Sequence, residues 1–280
     1  LFQASLQART ILEDEKDPET AKTKILECFE KPKRSGSADE HLWDMKRASR
    51  QFIEEMQIRN DAGGELIGLS TGFKHLDDRI NGMREGDFIV VAGRPSMGKT
   101  TFAMNIVEEN AVRRKVPSLV FSMEMSAPQI IEKMTASLGS ISLTDLRRST
   151  LSSEDWSKFT GAAKLIQDAS LIIDDRGGLT VSQMRARAHE IKRQQGGLGL
   201  IMVDYIQLMQ EPGAENRTNE ITKISGGLKG LAKEFQCPVI ALSQLNRSVE
   251  LRQDKRPVMS DLRESGAIEQ DADIIIFPFR

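Results

Sequence analysis

One short motif restricts what this chain can fold into more than any other feature. Residues 93–100, GRPSMGKT, match the pattern GxxxxGK[ST] of a phosphate-binding loop. The apolar run Phe88–Ala92 precedes the motif, and a helical stretch containing Thr101 follows it. Glycines let backbone N–H groups converge on phosphate oxygens, and the helix N-terminus adds about half a positive charge at the same place. The motif in this context predicts a nucleotide-binding loop between a buried strand and a helix.

Two side chains of this loop are assigned to the phosphates and to a metal. Lys99 is expected to reach the β- and γ-phosphates of ATP, and Thr100 to offer its hydroxyl oxygen to Mg²⁺. Asp204 ends the apolar run Leu200–Val203, where an acid leaves a buried strand and holds magnesium, partly through water. Strands that end in Asp are common, so this assignment depends on the loop. The predicted nucleotide-binding residues are Gly93, Arg94, Pro95, Ser96, Met97, Gly98, Lys99, Thr100, Thr101 and Asp204.

Two further polar residues follow predicted strands. Glu124 comes after the run Ser118–Met123, and a carboxylate there is placed to polarise an attacking water. Gln244 follows Val239–Ser243, and its amide is expected to contact a γ-phosphate and to report its loss. Together with Lys99, these residues are the predicted catalytic set. A solvated strand end and a turn residue are the structural alternatives for Glu124 and Gln244.

Apolar runs alternate with helical patterns over residues 61–280, which predicts one main domain there. Helix starts are clearest at Ser126, at Ser152 and at Thr180, which forms a capping box with Gln183. This alternation predicts an α/β fold, with a mainly parallel sheet covered by helices on both faces. The predicted strands are Phe88–Ala92, Ser118–Met123, Leu171–Asp174, Leu200–Asp204, Val239–Ser243 and Asp273–Phe277.

Residues 1–60 are predicted to form a small helical region ahead of the main domain. One helix is expected over Pro18–Lys31, followed by a Ser/Gly/Lys-rich linker. A second helix carries Met45, Phe52 and Met56 on one face. Two interpretations of that narrow apolar face remain open: packing on its own domain, or docking on a neighbouring subunit.

Composition excludes several classes of protein. Of 280 residues, 39% are hydrophobic and 29% charged, and the net charge is −2, so the chain has a core to bury and is no histone-like coat for DNA. A local basic groove remains open. Cys28 and Cys237 lack metal-ligand spacing, so no disulfide or zinc framework is expected. No run approaches the roughly 18 apolar residues of a membrane span, and Leu1–Thr10 lacks the pattern of a signal peptide. A cytoplasmic protein without membrane contact is predicted.

Several segments carry a more specific signal when they are taken together. They are RPSMGKT (94–100), SMEMS (122–126), VDYIQLM (203–209), SQLNRS (243–248) and DLRESGAIEQDAD (261–273). In this order they resemble the C-terminal motor domain of bacterial and phage replicative DNA helicases of the DnaB type. The resemblance runs from about Leu69 to Phe277.

The resemblance implies a RecA-like P-loop NTPase core that uses ATP and Mg²⁺. Such a motor forms a ring, usually of six subunits, which encircles single-stranded DNA, moves 5′ to 3′ and unwinds the duplex at the replication fork. A primase and a helicase loader are implied as further partners. In the family, Lys99 and Thr100 bind phosphate and Mg²⁺, and Glu124 is the catalytic carboxylate. Asp204 is the second acid of the site, and Gln244 couples the γ-phosphate to the DNA loops.

A DNA-binding loop is implied at Arg263, Glu264 and Gly266. An Arg side chain and a free backbone N–H each hold a phosphate without reading the base. A helix-capping loop is the structural alternative. The segment 211–219 is a second candidate, and the basic segment 246–260 either lines the same pore or is a solvated excursion.

The resemblance is incomplete at the C-terminal end. In the family, a further strand carries basic residues that reach into the neighbouring ATP site as an arginine finger. This sequence stops at Arg280, so the main domain is expected to be truncated. Without the finger, turnover is expected to fall by about 10³ to 10⁵, leaving a chain that binds ATP and hydrolyses it poorly.

Two other functions share parts of this pattern. A RecA-like recombinase has the same fold and phosphate loop, but the segment 261–273 favours the helicase. A regulatory ATPase that binds proteins in place of DNA is the third candidate. Salt-dependent binding to single-stranded DNA separates this candidate from the other two. Each phosphate contact to a single strand gives a plot of log K against log salt concentration a slope of about −0.7, and a protein that binds only proteins has no such contacts.

Overall fold

The computed structural model describes residues 44–61, 66–262 and 266–279. The chain divides into two compact units, residues 1–65 and 66–280. The domain boundary predicted between residues 60 and 61 stays a prediction.

In the first unit, the structure describes one helix, α1 (Met45–Asp61). Asp44 starts it, because its Oδ1 accepts the Arg47 N–H at 2.6 Å. The apolar side chains of Met45, Phe52 and Met56 are exposed. The helix predicted over Pro18–Lys31 lies outside the described residues.

The second unit alternates strands and helices, and every predicted strand is confirmed to within a residue or so at its ends. The strands are β1 (Phe88–Gly93), β2 (Ser118–Ser122), β3 (Leu171–Asp174), β4 (Leu200–Asp204), β5 (Val239–Gln244) and β6 (Ile274–Ile276). The α-helices are α2 (Lys74–Ile80), α3 (Lys99–Val107), α4 (Ala127–Gly139), α5 (Leu143–Arg148), α6 (Ser153–Gln167), α7 (Val181–Gln195), α8 (Arg217–Phe235) and α9 (Gly266–Asp271). Shorter turns of helix are the π-helical segment Glu108–Arg113 and the 3₁₀ helices Ile206–Leu208, Arg247–Leu251 and Met259–Asp261.

The strands form one parallel sheet in the order β3-β2-β4-β5-β1-β6. Gly93 at the end of β1 lies opposite Gln244 at the end of β5. Ser122 at the end of β2 lies opposite Asp204 at the end of β4. The predicted α/β class is confirmed, and the register brings these strand ends to one edge of the sheet.

Both faces of the sheet are covered, which explains the continuous apolar runs. In β1, Phe88, Val90 and Ala92 pack into a core built with α7 and α8. Ile89 and Val91 point to the other face, into a core built with α3 and α4. Alternate residues of β1 therefore belong to different cores, and every residue of the strand is buried.

All three predicted helix starts, at Ser126, Ser152 and Thr180, are confirmed. The Ser126 N–H donates to Gln129 Oε1 at 3.0 Å at the start of α4. At the start of α7, the Thr180 N–H donates to Gln183 Oε1 at 3.0 Å, and the Gln183 N–H donates to Thr180 Oγ1 at 3.2 Å. These reciprocal bonds satisfy backbone donors that the first helical turn leaves open.

The structure bears on membrane-spanning helices and on one of the two cysteines. No helix in the described part of the chain combines the length and apolar character that a bilayer crossing needs. Cys237 is a buried free thiol, and burial raises its pKa to about 12. Cys28 lies outside the described residues.

A buried carboxylate ties the start of this unit to the phosphate-loop helix. Asp77 of α2 accepts the Ser70 hydroxyl at 2.6 Å, and from Thr71 it accepts the N–H at 2.8 Å and the hydroxyl at 2.7 Å. Asn110, in the π-helical segment that continues α3, donates to the Ser70 carbonyl at 2.8 Å. The segment around Ser70 is thereby held against the helix that follows the loop.

Replacing Asp77 by Ala is expected to lower the free energy of unfolding by about 2 to 4 kcal/mol, because it strands buried donors of Ser70 and Thr71. Urea unfolding at neutral pH measures the loss, with the m-value expected to stay unchanged. The matched control is Asp78→Ala, since Asp78 is the next carboxylate on α2 and is exposed. Equal losses in the two variants would contradict this account.

Candidate nucleotide-binding site

The phosphate loop leaves the sheet at the end of β1 and enters α3 at Lys99. Gly98 caps this helix with φ +85°, a left-handed conformation that glycine adopts without strain. A Cβ added to Gly93 would stand 3.1 Å from Cγ of Lys99. Glycine at position 93 therefore leaves room for the lysine side chain to lie over the strand end.

Beside this loop lies a cavity of about 370 Å³. Met97 belongs to the loop without lining the cavity, and Asp204 is bonded to the wall residue Thr100. The cavity wall thus unites elements from the ends of β1, β2 and β5. The predicted residues that line it are Arg94, Pro95, Ser96, Gly98, Lys99, Thr100, Thr101, Glu124 and Gln244.

The two predicted magnesium ligands touch each other. The Thr100 hydroxyl donates to Asp204 Oδ2 at 3.1 Å. Strand β5 lies between β1 and β4, so this bond reaches across the middle of the sheet edge. A hydroxyl and a carboxylate at this spacing offer hard oxygen atoms, the ligand type that Mg²⁺ prefers.

Burial perturbs both charged groups at the base of the cavity. It raises the pKa of Asp204 to about 6, against the opposing bond from Thr100 and with a further increase from the Glu124 charge. Burial also lowers the pKa of Lys99, while Asp204 and Glu124 pull it back up. Both charged groups have lost hydration, and each compensates the other only in part. A ligand with negative charge would stabilise the charged form of Lys99, and a cation bound with it would stabilise that of Asp204.

Glu124 stands two residues beyond β2 and is exposed to the cavity. Its charge acts on Lys99, on Asp204 and on Tyr205, so the carboxylate faces the same space as the phosphate loop. An exposed carboxylate on this wall is accessible to water, as a general base requires. Its catalytic role stays a prediction.

Gln244 is the last residue of β5, directly beside the end of β1. Its backbone N–H donates to Gln207 Oε1 at 3.2 Å, and Gln207 Nε2 donates to the Ser243 hydroxyl at 3.0 Å. Gln244 itself lines the cavity. The backbone at the proposed sensor is thus held by a neighbouring side chain.

Two residues of the cavity wall, Lys133 and Tyr205, were not predicted from the sequence. Lys133 lies on α4, between the buried residues Ile130 and Met134, and its charge lowers the pKa of Asp204. Lys99 Nζ lies 5.7 Å from the centroid of the Tyr205 ring. A lone cation between apolar residues of a helix face was the available signal for Lys133, and it is weak without the fold.

Arg94 of the phosphate loop is held from the segment that follows β5. Its Nε and Nη2 contact Glu250 Oε1 at 2.8 and 2.7 Å, and its Nη1 donates to the Leu245 carbonyl at 3.1 Å. Further along, Arg252 Nη2 donates to Asp261 Oδ2 at 2.5 Å. Two residues of the basic segment 246–260, Glu250 and Arg252, are therefore held by ion pairs to residues outside it.

None of the predicted DNA-binding residues is among the described residues that line this cavity. Arg263 and Glu264 lie outside the described residues. Gly266 is the first residue of α9 and does not line the cavity. Their assignment stays a prediction.

The residues present suit ATP with Mg²⁺. The helix N-terminus of α3, Lys99 and Lys133 provide positive charge for phosphates. In the described part of the chain, no group of three or more His, Cys, Asp or Glu side chains could hold a metal by itself. Magnesium commonly binds through one or two carboxylates together with substrate phosphates and water, which matches Thr100 with Asp204.

Comparison with known proteins adds a family to this geometry. Residues 68–280 match the model of the DnaB-like helicase C terminal domain. The replicative DNA helicase DnaB of Pasteurella multocida (strain Pm70) is 48% identical over 263 residues, which are 93% of this chain and 56% of that protein. That of Geobacillus stearothermophilus is 44% identical over 272 residues, 96% of this chain and 59% of that protein. The chain thus spans less than two thirds of these relatives.

Solved structures agree. One, described as an ATPase domain, superposes with a TM-score of 0.80 at 38% identity, covering 85% of this chain and 84% of the other. A second, described as a DnaB-like replicative helicase and its interactions with primase, has a TM-score of 0.77 at 36% identity, covering 99% of this chain and 66% of the other.

The raised pKa of Asp204 predicts that this residue destabilises the protein without ligand. Its folded pKa of about 6 exceeds the value of 3.8 for an unperturbed Asp, so the folded state gains stability from its protonation below pH 4 and loses it as pH rises through 6. Asp204→Asn is therefore expected to be more stable than the parent by about 1 to 3 kcal/mol at pH 7.5, with the difference vanishing near pH 4. Urea unfolding at both pH values, without nucleotide or Mg²⁺, measures it. A destabilised variant at pH 7.5 would contradict the assignment.

Proposed function

The chain belongs to the family of DnaB-like helicase C-terminal domains, and we propose that it is the ATP-driven motor of a replicative DNA helicase. In this proposal the motor acts as a ring of six copies, moves 5′ to 3′ on single-stranded DNA and unwinds the duplex at the fork. The activity of the whole protein is part of the proposal.

The observation that carries the proposal is the meeting of strand ends at one cavity. Lys99 and Thr100 come from the loop after β1, Glu124 from beyond β2, Asp204 from β4 and Gln244 from β5. Hydrolysis of a phosphoanhydride needs phosphate binding, metal binding, water activation and detection of the γ-phosphate, and this set supplies a group for each.

Each residue has a definite task in this mechanism. Lys99 and the backbone N–H groups of the loop hold the phosphates. Thr100 and Asp204 hold Mg²⁺, which supplies neutralisation of phosphate charge when bound. Glu124 takes a proton from the attacking water. Gln244 contacts the γ-phosphate and carries its loss into β5.

The DNA partner is a single strand held mainly by its backbone. We assign this contact to Arg263, Glu264 and Gly266, since an Arg side chain and backbone N–H groups hold phosphates irrespective of base. Little sequence preference is expected. A primase and a helicase loader in the cytoplasm are the proposed protein partners, and one structural relative is described with primase.

Unwinding of a forked duplex tests the proposal. The whole protein, with ATP and Mg²⁺, is expected to separate a fork that has a 5′ single-stranded tail and to leave one with only a 3′ tail paired, which strand displacement measures. Lys99→Ala is expected to abolish unwinding, because the lost cation contacts the transferring phosphoryl group.

The matched control is Lys192→Ala, which removes a lysine from the last turn of α7, away from the cavity wall. It is expected to unwind at the parent rate within about twofold, as surface substitutions usually do. Turnover of ATP and salt-dependent strand binding without any fork opening would instead favour a recombinase. Absence of strand binding would favour a regulatory ATPase.

A further inference from the structure

The sensor end of β5 is attached to more than its own strand. The Gln207 side chain makes two bonds to it, accepting from the Gln244 N–H at 3.2 Å and donating to the Ser243 hydroxyl at 3.0 Å. Gln207 lies in the 3₁₀ helix that follows β4. A displacement of the β5 end would therefore also displace the Gln207 side chain.

The backbone of Gln207 is in turn held by Arg217, the first residue of α8. Arg217 Nη2 donates to the Gln207 carbonyl at 2.6 Å, and Nη1 donates to Glu220 Oε2 at 2.6 Å. The planar guanidinium reaches the two acceptors from two different nitrogens in a fixed fork, whereas an ammonium group has only one nitrogen. Arg217 thus fixes the start of α8 to the element beside the sensor.

The loop 209–216 connects these two attachment points, and Glu220 closes it. Glu220 Oε1 accepts the Glu211 N–H at 3.0 Å. This bond and the Arg217 contact keep the pKa of Glu220 below its ordinary value, so the carboxylate stays charged. Asn216 caps α8 by accepting the Asn219 N–H at 2.9 Å. Both ends of the loop are therefore held by bonds of Gln207, Arg217 and Glu220, although most of the loop's surface is exposed.

The loop faces an open groove of about 290 Å³ on the first turns of α8. Its lining residues provide a backbone turn, an amide, a hydroxyl, one cation and one carboxylate; they are Gly213, Asn219, Thr222, Lys223 and Glu215. Further along, α8 packs against α9, which begins at Gly266. The residues that contact the sensor therefore connect to the candidate DNA segment 211–219 and, through α8, to the helix that begins at Gly266.

We propose that Gln207, Arg217 and Glu220 form a bridge that moves the loop 209–216 with the end of β5, so that the grip on DNA follows the γ-phosphate at Gln244. This inference rests on the proposed helicase function. Arg217 is a positioning residue in it: its guanidinium is occupied by Gln207 and Glu220 and transmits displacement without touching DNA or ATP.

The bridge predicts a specific defect in coupling. In the whole protein, Arg217→Ala is expected to lower the stimulation of ATP turnover by single-stranded DNA about three- to thirtyfold, the range that residues linking two sites commonly show. Arg217→Lys is expected to lose much of the stimulation as well, because a single nitrogen does not reproduce the fixed fork that places Nη1 and Nη2 at separate acceptors. The substitution Glu220→Gln is milder, because it keeps an acceptor for the Glu211 N–H. Its stimulation by single-stranded DNA is expected to lie between those of Arg217→Ala and the parent.

The structure offers a matched control on α7. Arg187 Nη1 contacts Glu190 Oε2 at 2.7 Å in the same i, i+3 arrangement, and its Nε lies 3.5 Å from Asp174 Oδ2, so it too joins two acceptors, neither of which is bonded to the β5 end. Arg187→Ala is expected to keep DNA stimulation within about twofold of the parent. Strand affinity of Arg217→Ala, measured across salt concentrations, is expected to keep the parental slope, because no phosphate contact has been removed.

Three results would overturn the bridge: full stimulation in Arg217→Lys, equal losses in Arg217→Ala and Arg187→Ala, or a salt slope that falls by about 0.7, which marks a direct phosphate contact. A parent protein without Lys99-dependent, DNA-stimulated turnover would overturn the proposed function and the bridge with it. If DNA stimulates turnover in the parent and equally in the Arg217 variants, the bridge is overturned and the proposed function stands.

Discussion

The register of a parallel sheet is the constraint on which the rest of this structure depends. Parallel strands end at the same edge, and here hydrogen bonding sets Gly93 opposite Gln244 and Ser122 opposite Asp204. Polar groups that are far apart in the chain therefore meet without any of them leaving its strand end by more than a few residues. A shift of one residue in the pairing register of a strand would turn each of its side chains to the opposite face of the sheet.

The same arrangement makes the site electrostatically costly. Asp204 is buried and Lys99 is half-buried, and burial favours the neutral form of each by raising the pKa of Asp204 and lowering that of Lys99. The Thr100 bond and the nearby charges offset only part of that cost. Protein stability is thus reduced where ligand binding needs charge, which is how functional sites commonly depart from the most stable packing.

The fold was predictable because its signals are local. Apolar runs gave the strands, and Ser126 and Thr180 gave helix starts, since capping depends on residues three positions apart. The cavity was predictable where a motif marks it, as at Lys99 and Asp204. Lys133 and the link from Gln207 to Arg217 were not, because they depend on which strands are neighbours and on rotamers that no local pattern encodes. The functional roles of the site residues remain predictions.

The position of β1 also determines the order in which the protein can assemble during synthesis. Strands β2, β3 and β4 are neighbours in the sheet and close together in the chain, so they can pair early. Both partners of β1 come later, from β5 at Val239–Gln244 and β6 at Ile274–Ile276. At ~5–20 residues per second, this wholly apolar strand waits about 7 to 30 s after leaving the ribosome for its first partner. An unpaired apolar edge invites aggregation, so the strand that carries the phosphate loop is open to wrong association for as long as it waits.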